Sequence, residues 1–551
     1  MRLYNIGGYN MVRKILDCPE RPQAKDNVTE LNLTIEFISP LFGGSSEKGK
    51  NDIRESSIRG QLRFWWRATI GAGYNSVKEM RGKEGEIFGN TDKASNVIIK
   101  IINRIKRSEK NFVSFPTKQN GKSDMKYSYI LFPFRDQKID GLMNITFDLQ
   151  VKILKEEFVD DVKKTLKAWI NFGGLGARTR RGLGSLYCEE YAFKDINELN
   201  LFIKQIQSSK SISFPSINKM FYAKGGDWET GTKLLKNFRQ EEFIGRRKGQ
   251  GLDRNNKPKK YGRSYWPEPD TIGSVIWRKD THKKRNTDEN CFPRAEFGLP
   301  IIVDFRDGLE PPTMQIVPVV EENGKEVVKE RFASPLIIKN IKLKNNDIYQ
   351  IVILLNGIKS LKGVKLDLLI KKVKDIEKVK EDIDKKLSIL SKEQIGWVPE
   401  VRQKINQIYT KISELSKMQK EIEKSKVENL ELHKKFLEQL NEQIVKPKDT
   451  VLEILSKKPK EQIWNLKNLL LDLDKKRMEL VQKALKKFLE EELKTYYPIE
   501  WTPSTNNGFQ NKNLNNLKIK ETPLTINGSA IEGFIEFIKK NGFTEINGGA
   551  R

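Results

Sequence analysis

The chain has 551 residues, 37% hydrophobic and 9% aromatic, which is too long for one ordinary domain and enough to build two to four cored ones. Lysine and arginine number 101 against 73 acidic residues, and the resulting net charge of +28 points to an anionic partner, either nucleic acid or a membrane surface. No run of about 18 apolar residues and no signal-peptide core occur, so neither a transmembrane helix nor a secretory leader is expected.

A lysine-rich, hot or AT-rich source would also raise the charge, since many lysines sit beside glutamates on helices. The arginines argue otherwise, because they cluster in loops with glycine and aromatics. Cys18, Cys188 and Cys291 are far apart and form no CxxC pair, so no disulfide framework or zinc site is expected and a reducing, cytoplasmic compartment fits. Met11 is an alternative start.

Residues 31–38 (LNLTIEFI) alternate, with Leu31, Leu33, Ile35 and Phe37 on one face of a half-buried strand that ends at Pro40, Gly43 and Gly44. In SSIRGQLRFWWRATI, Leu62, Trp65, Trp66 and Thr69 form one helical face, while Arg59, Arg63 and Arg67 recur every four residues on another. Residues 145–153 alternate again. A helix over about 156–171 follows, striped by Val159, Val162, Leu166 and Ile170 and ended by Gly173 and Gly174. GARTRRGLG and a short strand at SLYCEEY complete an α+β unit like half of a ferredoxin-type fold.

A second α+β region spans about 206–360, with strands expected at 299–305, 314–320 and 349–355 and a basic loop at 239–285 holding 14 Lys/Arg against 6 Asp/Glu. From 365 to 498 glycine nearly vanishes. Val401, Ile405, Ile408, Ile412, Leu415, Met418 and Ile422 approach a heptad seam there, so an antiparallel, solvated coiled hairpin is expected. The segment 525–551 reads as a loop, a helix over 530–540 and a tail that returns to the second α+β region, which makes the helical part an insertion.

Two arginine–glycine segments carry the strongest signal: IRESSIRGQLRFWWR from Ile53 to Arg67 and NFGGLGARTRRGLGS from Asn171 to Ser185. Glycines let a backbone approach phosphate, arginine forks match phosphate oxygens, and Ser56 and Ser57 sit near a helix start that is itself an anion site. Taken singly, either segment is equally well a surface arginine set with turn glycines; together, in so basic a chain, they favour RNA or DNA. Gly44 to Lys50 satisfies GxxxxGK, but Asn51 stands where a P-loop needs Ser or Thr, so NTPase chemistry is not expected.

Adjacent Trp65 and Trp66 point about 100° apart on a helix. At most one is therefore expected squarely in the core, although packing of both between helix and sheet competes with a base-stacking role. Tyr261, Tyr265 and Trp266 interleave with Lys259, Lys260 and Arg263 as in single-strand binders, or else anchor a loop. Only two histidines occur, His282 and His433, neither with an evident catalytic partner in sequence. No catalytic residue, metal or cofactor is expected.

Pro40-Leu-Phe-Gly-Gly44, Ser57 to Arg67 and Glu86-Ile-Phe-Gly89 resemble the RAMP superfamily of CRISPR proteins, and more narrowly the two-domain RAMP subunits of type III-B (Cmr) effectors. The Gly173–Gly184 loop is similar to the glycine-rich loop of that family, and Arg263 to Asp270, Phe297-Gly-Leu-Pro300 and Arg331 to Pro335 resemble its later motifs. The resemblance covers roughly 28–360. It implies an α+β chain of two ferredoxin-like (RRM-like) RAMP domains, at 1–205 and 206–364, with 499–551 completing the second. The long helical, coiled-coil-like insertion at 365–498 departs from the family.

The resemblance further implies a non-catalytic antiviral-defence subunit contacting the 3′ part of CRISPR RNA (crRNA) and the target RNA. Its partners would be the other Cmr-type RAMP subunits and the large polymerase-like subunit, with no membrane. By motif match it places RNA contact on Arg54, Ser57, Arg59, Arg63 and Arg67, on Gly174, Gly176, Arg178, Arg180, Arg181 and Gly182, and on Arg263 and Arg331. The alternatives are a RAMP-family endoribonuclease processing CRISPR RNA and a structural adaptor acting through the insertion.

Overall fold

The structure is a computed structural model. It describes residues 28–106, 112–113, 128–206, 215–249, 261–281, 290–303, 313–356, 361–368, 376–424, 450–455, 496–499 and 529–546, apart from a few positions within them. Cys18, His282 and His433 lie outside the described residues.

The first unit runs β1 (Thr29–Phe37), α1 (Glu55–Ala68), α2 (Val77–Phe88), β2 (Val97–Lys106), β3 (Thr146–Ile153), α3 (Val159–Phe172), β4 (Leu186–Tyr187) and α4 (Ile196–Ile206). Its antiparallel sheet has the order β2-β3-β1-β4, with Leu33 opposite Leu149 and Phe37 opposite Leu186. The alternation in β1 and β3 puts Leu33, Ile35, Phe147, Leu149 and Val151 into the core.

Trp65 and Trp66 are both buried, as the packing of both between helix and sheet has it, and against the expectation of at most one squarely in the core. The helix is covered on two sides: Trp65 packs beside Phe172 of α3, while Trp66 lies near Tyr74 and donates its indole N–H to Asp161. Neither ring is an open stacking surface.

The chain continues with β5 (Ile217–Lys224), α5 (Trp228–Gln240), β6 (Arg246–Lys248), β7 (Tyr261–Ser264), α6 (Glu268–Thr281), β8 (Ile301–Val303), β9 (Met314–Glu322) and β10 (Lys325–Val328). Then come β11 (Leu336–Lys342), β12 (Ile348–Leu355), β13 (Leu361–Leu368), α7 (Ile376–Lys392), α8 (Val398–Lys424), β14 (Tyr496–Tyr497), α9 (Ala530–Lys540) and β15 (Thr544–Glu545). The second sheet has the order β11-β12-β5-β15, so the C-terminal strand pairs with β5, Thr544 lying opposite Tyr222.

This second sheet is buried on both faces. One face packs Phe221, Ile338 and Val352 against Phe238 of α5 and Phe534 of α9. The other, through Met220, Ile337, Ile341 and Ile351, joins the core of the first unit, with α3 lying against β11. Burial of every residue from Ala168 to Phe172 follows from α3 standing between two sheets.

A third sheet, β8-β9-β13-β14 with β10 beside β9, was not expected as a separate layer. The strands read at 299–305 and 314–320 belong to it, whereas the one at 349–355 belongs to the second sheet. The apolar seam of α8 is not a solvated hairpin. Val401, Ile405, Ile408 and Ile412 share a core with Ile383 and Leu387 of α7 and with Met314, Ile316 and Leu366 of the third sheet. The stretch 239–285 is likewise no single loop, since it holds the end of α5, the β6–β7 pair and α6.

Candidate nucleic-acid interface

Three segments distant in sequence meet, and the glycine-rich loop lies beside Phe64 and Trp65 of α1. Pro40–Gly44 zips onto the glycine-rich loop: Ala177 N–H donates to Phe42 O at 2.7 Å and Gly184 N–H to Pro40 O at 2.9 Å. The loop closes on itself through Leu175 N–H to Gly184 O at 3.0 Å. A Cβ on Gly174 would lie 2.5 Å from Gly184 O, and one on Gly176 would lie 2.6 Å from Phe42 O. These glycines allow backbone to pack on backbone; Gly182, at φ 89°, is required by its conformation.

From this loop Arg180 and Arg181 reach the third segment. Arg180 donates to Ser334 O. Arg181 donates to Phe297 O at 2.7 Å, Ser334 Oγ at 2.8 Å and Leu336 O at 3.2 Å. Ile338 N–H donates to Arg180 O at 3.1 Å, so the loop is clipped to β11. Burial lowers the Arg180 guanidinium pKa from its usual value. Both arginines bind the two sheets together, a use the sequence did not signal.

Arg63 and Arg67 are also tied. Buried Glu84 of α2 accepts from Arg63 Nε at 2.6 Å and from Arg67 Nη2 at 2.5 Å, and Arg63 Nη1 donates to Gly89 O at 3.0 Å. Arg59, on the same helical row, is half-exposed and has no such ion pair among the described residues.

At the start of α1, Arg54 is the N-cap, and its carbonyl accepts from Ser57 N–H at 3.0 Å and Ile58 N–H at 3.1 Å. Its buried Nε has no partner among the described residues. Ser57 is half-exposed. Arg178 stands exposed at the loop tip with φ 62°, a left-handed conformation unusual for a non-glycine residue. Arg331 is exposed three residues before Ser334. Arg263 lies in β7, and its side chain is outside the described residues.

The P-loop-like stretch is a closed turn. Gly43 N–H donates to Asn51 Oδ1 at 2.7 Å, and Asn51 Nδ2 donates to Asp140 O at 2.6 Å. Trp266 is core, its indole N–H donating to Arg239 O at 3.1 Å among Phe238 and Phe297. The open face of the first sheet carries Glu30, Asn32, Thr34, Asp148, Gln150 and Lys152, cross-linked by bonds such as Thr34 to Asp148 at 2.9 Å and Lys152 to Glu30 at 2.8 Å. Tyr187 stands on the same face opposite Glu36, with Lys342 Nζ 4.4 Å from its ring centre.

One residue that sequence reading missed is Lys339. It is fully buried on β11, its Nζ donates to Gly173 O at the end of α3, and burial lowers its pKa to about 7. The signal was a lysine in the middle of the strand LIIKNIK, directly after three apolar residues. Cys188 is buried, and its thiol is pushed up to about 12 by desolvation and by Glu190. Among the described residues no helix is long and apolar enough to cross a membrane, and no three His, Cys, Asp or Glu side chains gather as a metal site.

Residues 34–187 match the model of the RAMP superfamily. The CRISPR system Cmr subunit Cmr1-2 of Pyrococcus furiosus is 26% identical over 172 residues, 28% of this chain and 91% of that protein. Subunit Cmr1-1 of the same organism is 26% identical over 157 residues, 27% of this chain and 44% of that protein, so the alignment spans under half of that relative. Among solved structures, apo Cmr1 from Pyrococcus furiosus aligns over 60% of this chain and 88% of its own at 15% identity, with a TM-score of 0.34. A chain of the type III-B Cmr-beta complex bound to cognate target RNA aligns over 60% and 94% at 17% identity, with a TM-score of 0.35.

Proposed function

Because residues 34–187 belong to the RAMP superfamily, we propose that the chain is a non-catalytic, RNA-binding subunit of a type III-B (Cmr) CRISPR effector, contacting the 3′ part of CRISPR RNA and the target RNA. One observation carries the reading. The three family motifs converge at one junction, and the arginines there divide into two sets. Arg63, Arg67, Arg180 and Arg181 hold the fold. Arg54, Arg59 and Arg331, with Ser57 and the exposed loop-tip Arg178, are the groups that would face phosphate. In a chain of net charge +28, such a set grips backbone and leaves sequence to base pairing.

We read both outer units as ferredoxin-like, on the strand–helix–strand–strand–helix–strand order shared by β2-β3-β1-β4 and β11-β12-β5-β15. The first would be residues 1–205. The second would be 206–364 with 499–551, interrupted by a helical insertion over 365–498. The open face of the first sheet is polar, and that of the second is covered by α3. RNA would therefore meet the loop end of the molecule rather than a sheet face. The other Cmr RAMP subunits and the large polymerase-like subunit would be its neighbours.

The test is to purify the chain with its native partners and sequence the accompanying RNA. Short RNAs sharing one repeat-derived 5′ tag are expected. Heterogeneous RNA or none would sink the guide-complex reading, and cleavage of repeat RNA by the pure chain would replace it with the processing endoribonuclease.

A further inference from the structure

We propose that the hairpin of β6 and β7 is a second contact for the phosphate backbone of bound RNA, made through Arg246, Arg247 and Lys248; this rests on the RNA-binding reading above. The hairpin springs from the junction already described. Arg181 of the glycine-rich loop donates to Phe297 O at 2.7 Å. The Phe297 ring stands 6.3 Å from the Trp266 ring and 5.9 Å from the Arg239 guanidinium. Trp266 in turn holds the foot of the hairpin: its indole N–H donates to Arg239 O at 3.1 Å, and the neighbouring Tyr265 N–H donates to Gly245 O at 3.0 Å. A single residue, Phe297, therefore links the loop to the hairpin.

The charge of the hairpin has no internal answer. From Arg246 to Arg263 the chain carries eight Lys/Arg against one acidic residue, Asp253. Cross-strand pairing does nothing to neutralise β6, since Arg246 stands opposite Ser264 and Lys248 opposite Tyr261. The acidic residues nearest in sequence to Arg246 are Glu241 and Glu242, at the foot, where Glu241 O accepts from the N–H groups of Gly245 and Arg246 at 3.0 Å each. Three adjacent cations on one short strand repel one another, a cost that an anionic partner removes.

Strand alternation sends Arg246 and Lys248 to one face, about 6.6 Å apart, and Arg247 to the other. Lys248 is exposed, and Arg246 and Arg247 are partly so. The Arg247 guanidinium lies 5.4 Å from the ring centre of Tyr265, which fixes its position through the ring face. An anionic membrane would need apolar side chains beside the cations, and Leu252 is the only Leu, Ile, Val or Met from Arg246 to Ser264. A phosphate backbone needs only spaced cations.

The experiment measures binding of single-stranded oligouridine over a salt series, by the full chain and by its Arg246→Gln/Lys248→Gln variant. The slope of log K against log salt should fall by about 1.4 in the variant, which at 0.15 M salt is roughly a tenfold loss of affinity. Should the double variant fail to fold, Lys248→Glu at its exposed position is expected to weaken binding about fourfold or more. Independently, 4-thiouridine strands should crosslink to peptides of the hairpin in the unaltered protein. Unchanged affinity and slope in a folded variant overturns the hairpin contact and leaves RNA binding at the glycine-rich junction standing. Loss of co-purifying protein subunits with RNA affinity unchanged also overturns it, and makes the hairpin a surface for an acidic protein. Failure of the unaltered chain to bind RNA overturns both readings.

Discussion

Lys339 donates from Nζ to the carbonyl oxygen of Gly173, so the second sheet is pinned to the C-terminal end of α3. That end carries the negative pole of the helix, where a cation is favoured, yet burial opposes the charge. With a pKa of about 7 in the fold and near 10.4 unfolded, the unfolded chain binds the proton more tightly between those values. Stability therefore rises with pH across that window, and the burial penalty is fully present below pH 7. Denaturant midpoints should rise by the equivalent of about 2 kcal/mol from pH 7 to 9. Lys339→Met should flatten the profile, and an unchanged slope in that variant would assign it to other groups.

Glu84 holds two arginines and is almost fully buried. Glu84→Ala leaves both cations without their acceptor and should lower stability by about 2 kcal/mol, less than for a fully buried triad because Arg63 and Arg67 are partly exposed. Arg63→Ala should show the same kind of thermal shift, and Arg59→Ala should show none. Calorimetry on the three variants separates them.

Arg178 permits a cleaner test of charge. Glycine accepts φ 62° without strain, so Arg178→Gly leaves the loop backbone path available. Combined with Arg59→Ala it should weaken RNA binding and reduce the slope of log K against log salt by roughly 1.4, about 0.7 for each lost contact to a single strand. Filter binding at several salt concentrations reads both quantities; an unaltered slope would remove these arginines from the interface.

Gly184 has φ 63°, and a Cβ there would lie 1.9 Å from Leu175 O. Gly184→Ala must break the closure of the loop. It should destabilise the protein by about 2 kcal/mol or more and detach the Arg180–Ser334 link, observable as faster amide exchange along β11.

Legibility in the sequence followed solvent exposure. β1 and β3 each have one wet face, so their alternation shows, and α3 announced itself by its stripe and terminal glycines. β11 has no wet face, and LIIKNIK carries no period to read. The α8 seam was visible as a helix, but nothing in its spacing told that a sheet rather than a second helix alone would cover it. Among the arginines, Arg59, Arg63 and Arg67 look alike at a four-residue repeat. What separates them is Glu84, which stands on another helix. Arg180 and Arg181 find their acceptors more than 100 residues away.

The pairing of β15 with β5 has a consequence for the order of synthesis. The second sheet begins at Ile217, but its edge strand and the helix covering it emerge from the ribosome more than 300 residues later. Until then the faces of Phe221, Ile338 and Val352 lack Phe534, while the first unit already has all of its strands. The nascent chain therefore matures from the front, and the second sheet waits with one flank uncovered while the α7–α8 region is made. A ribosome-stalled chain ending before residue 529 should hold a protease-resistant first unit and a protease-sensitive second one.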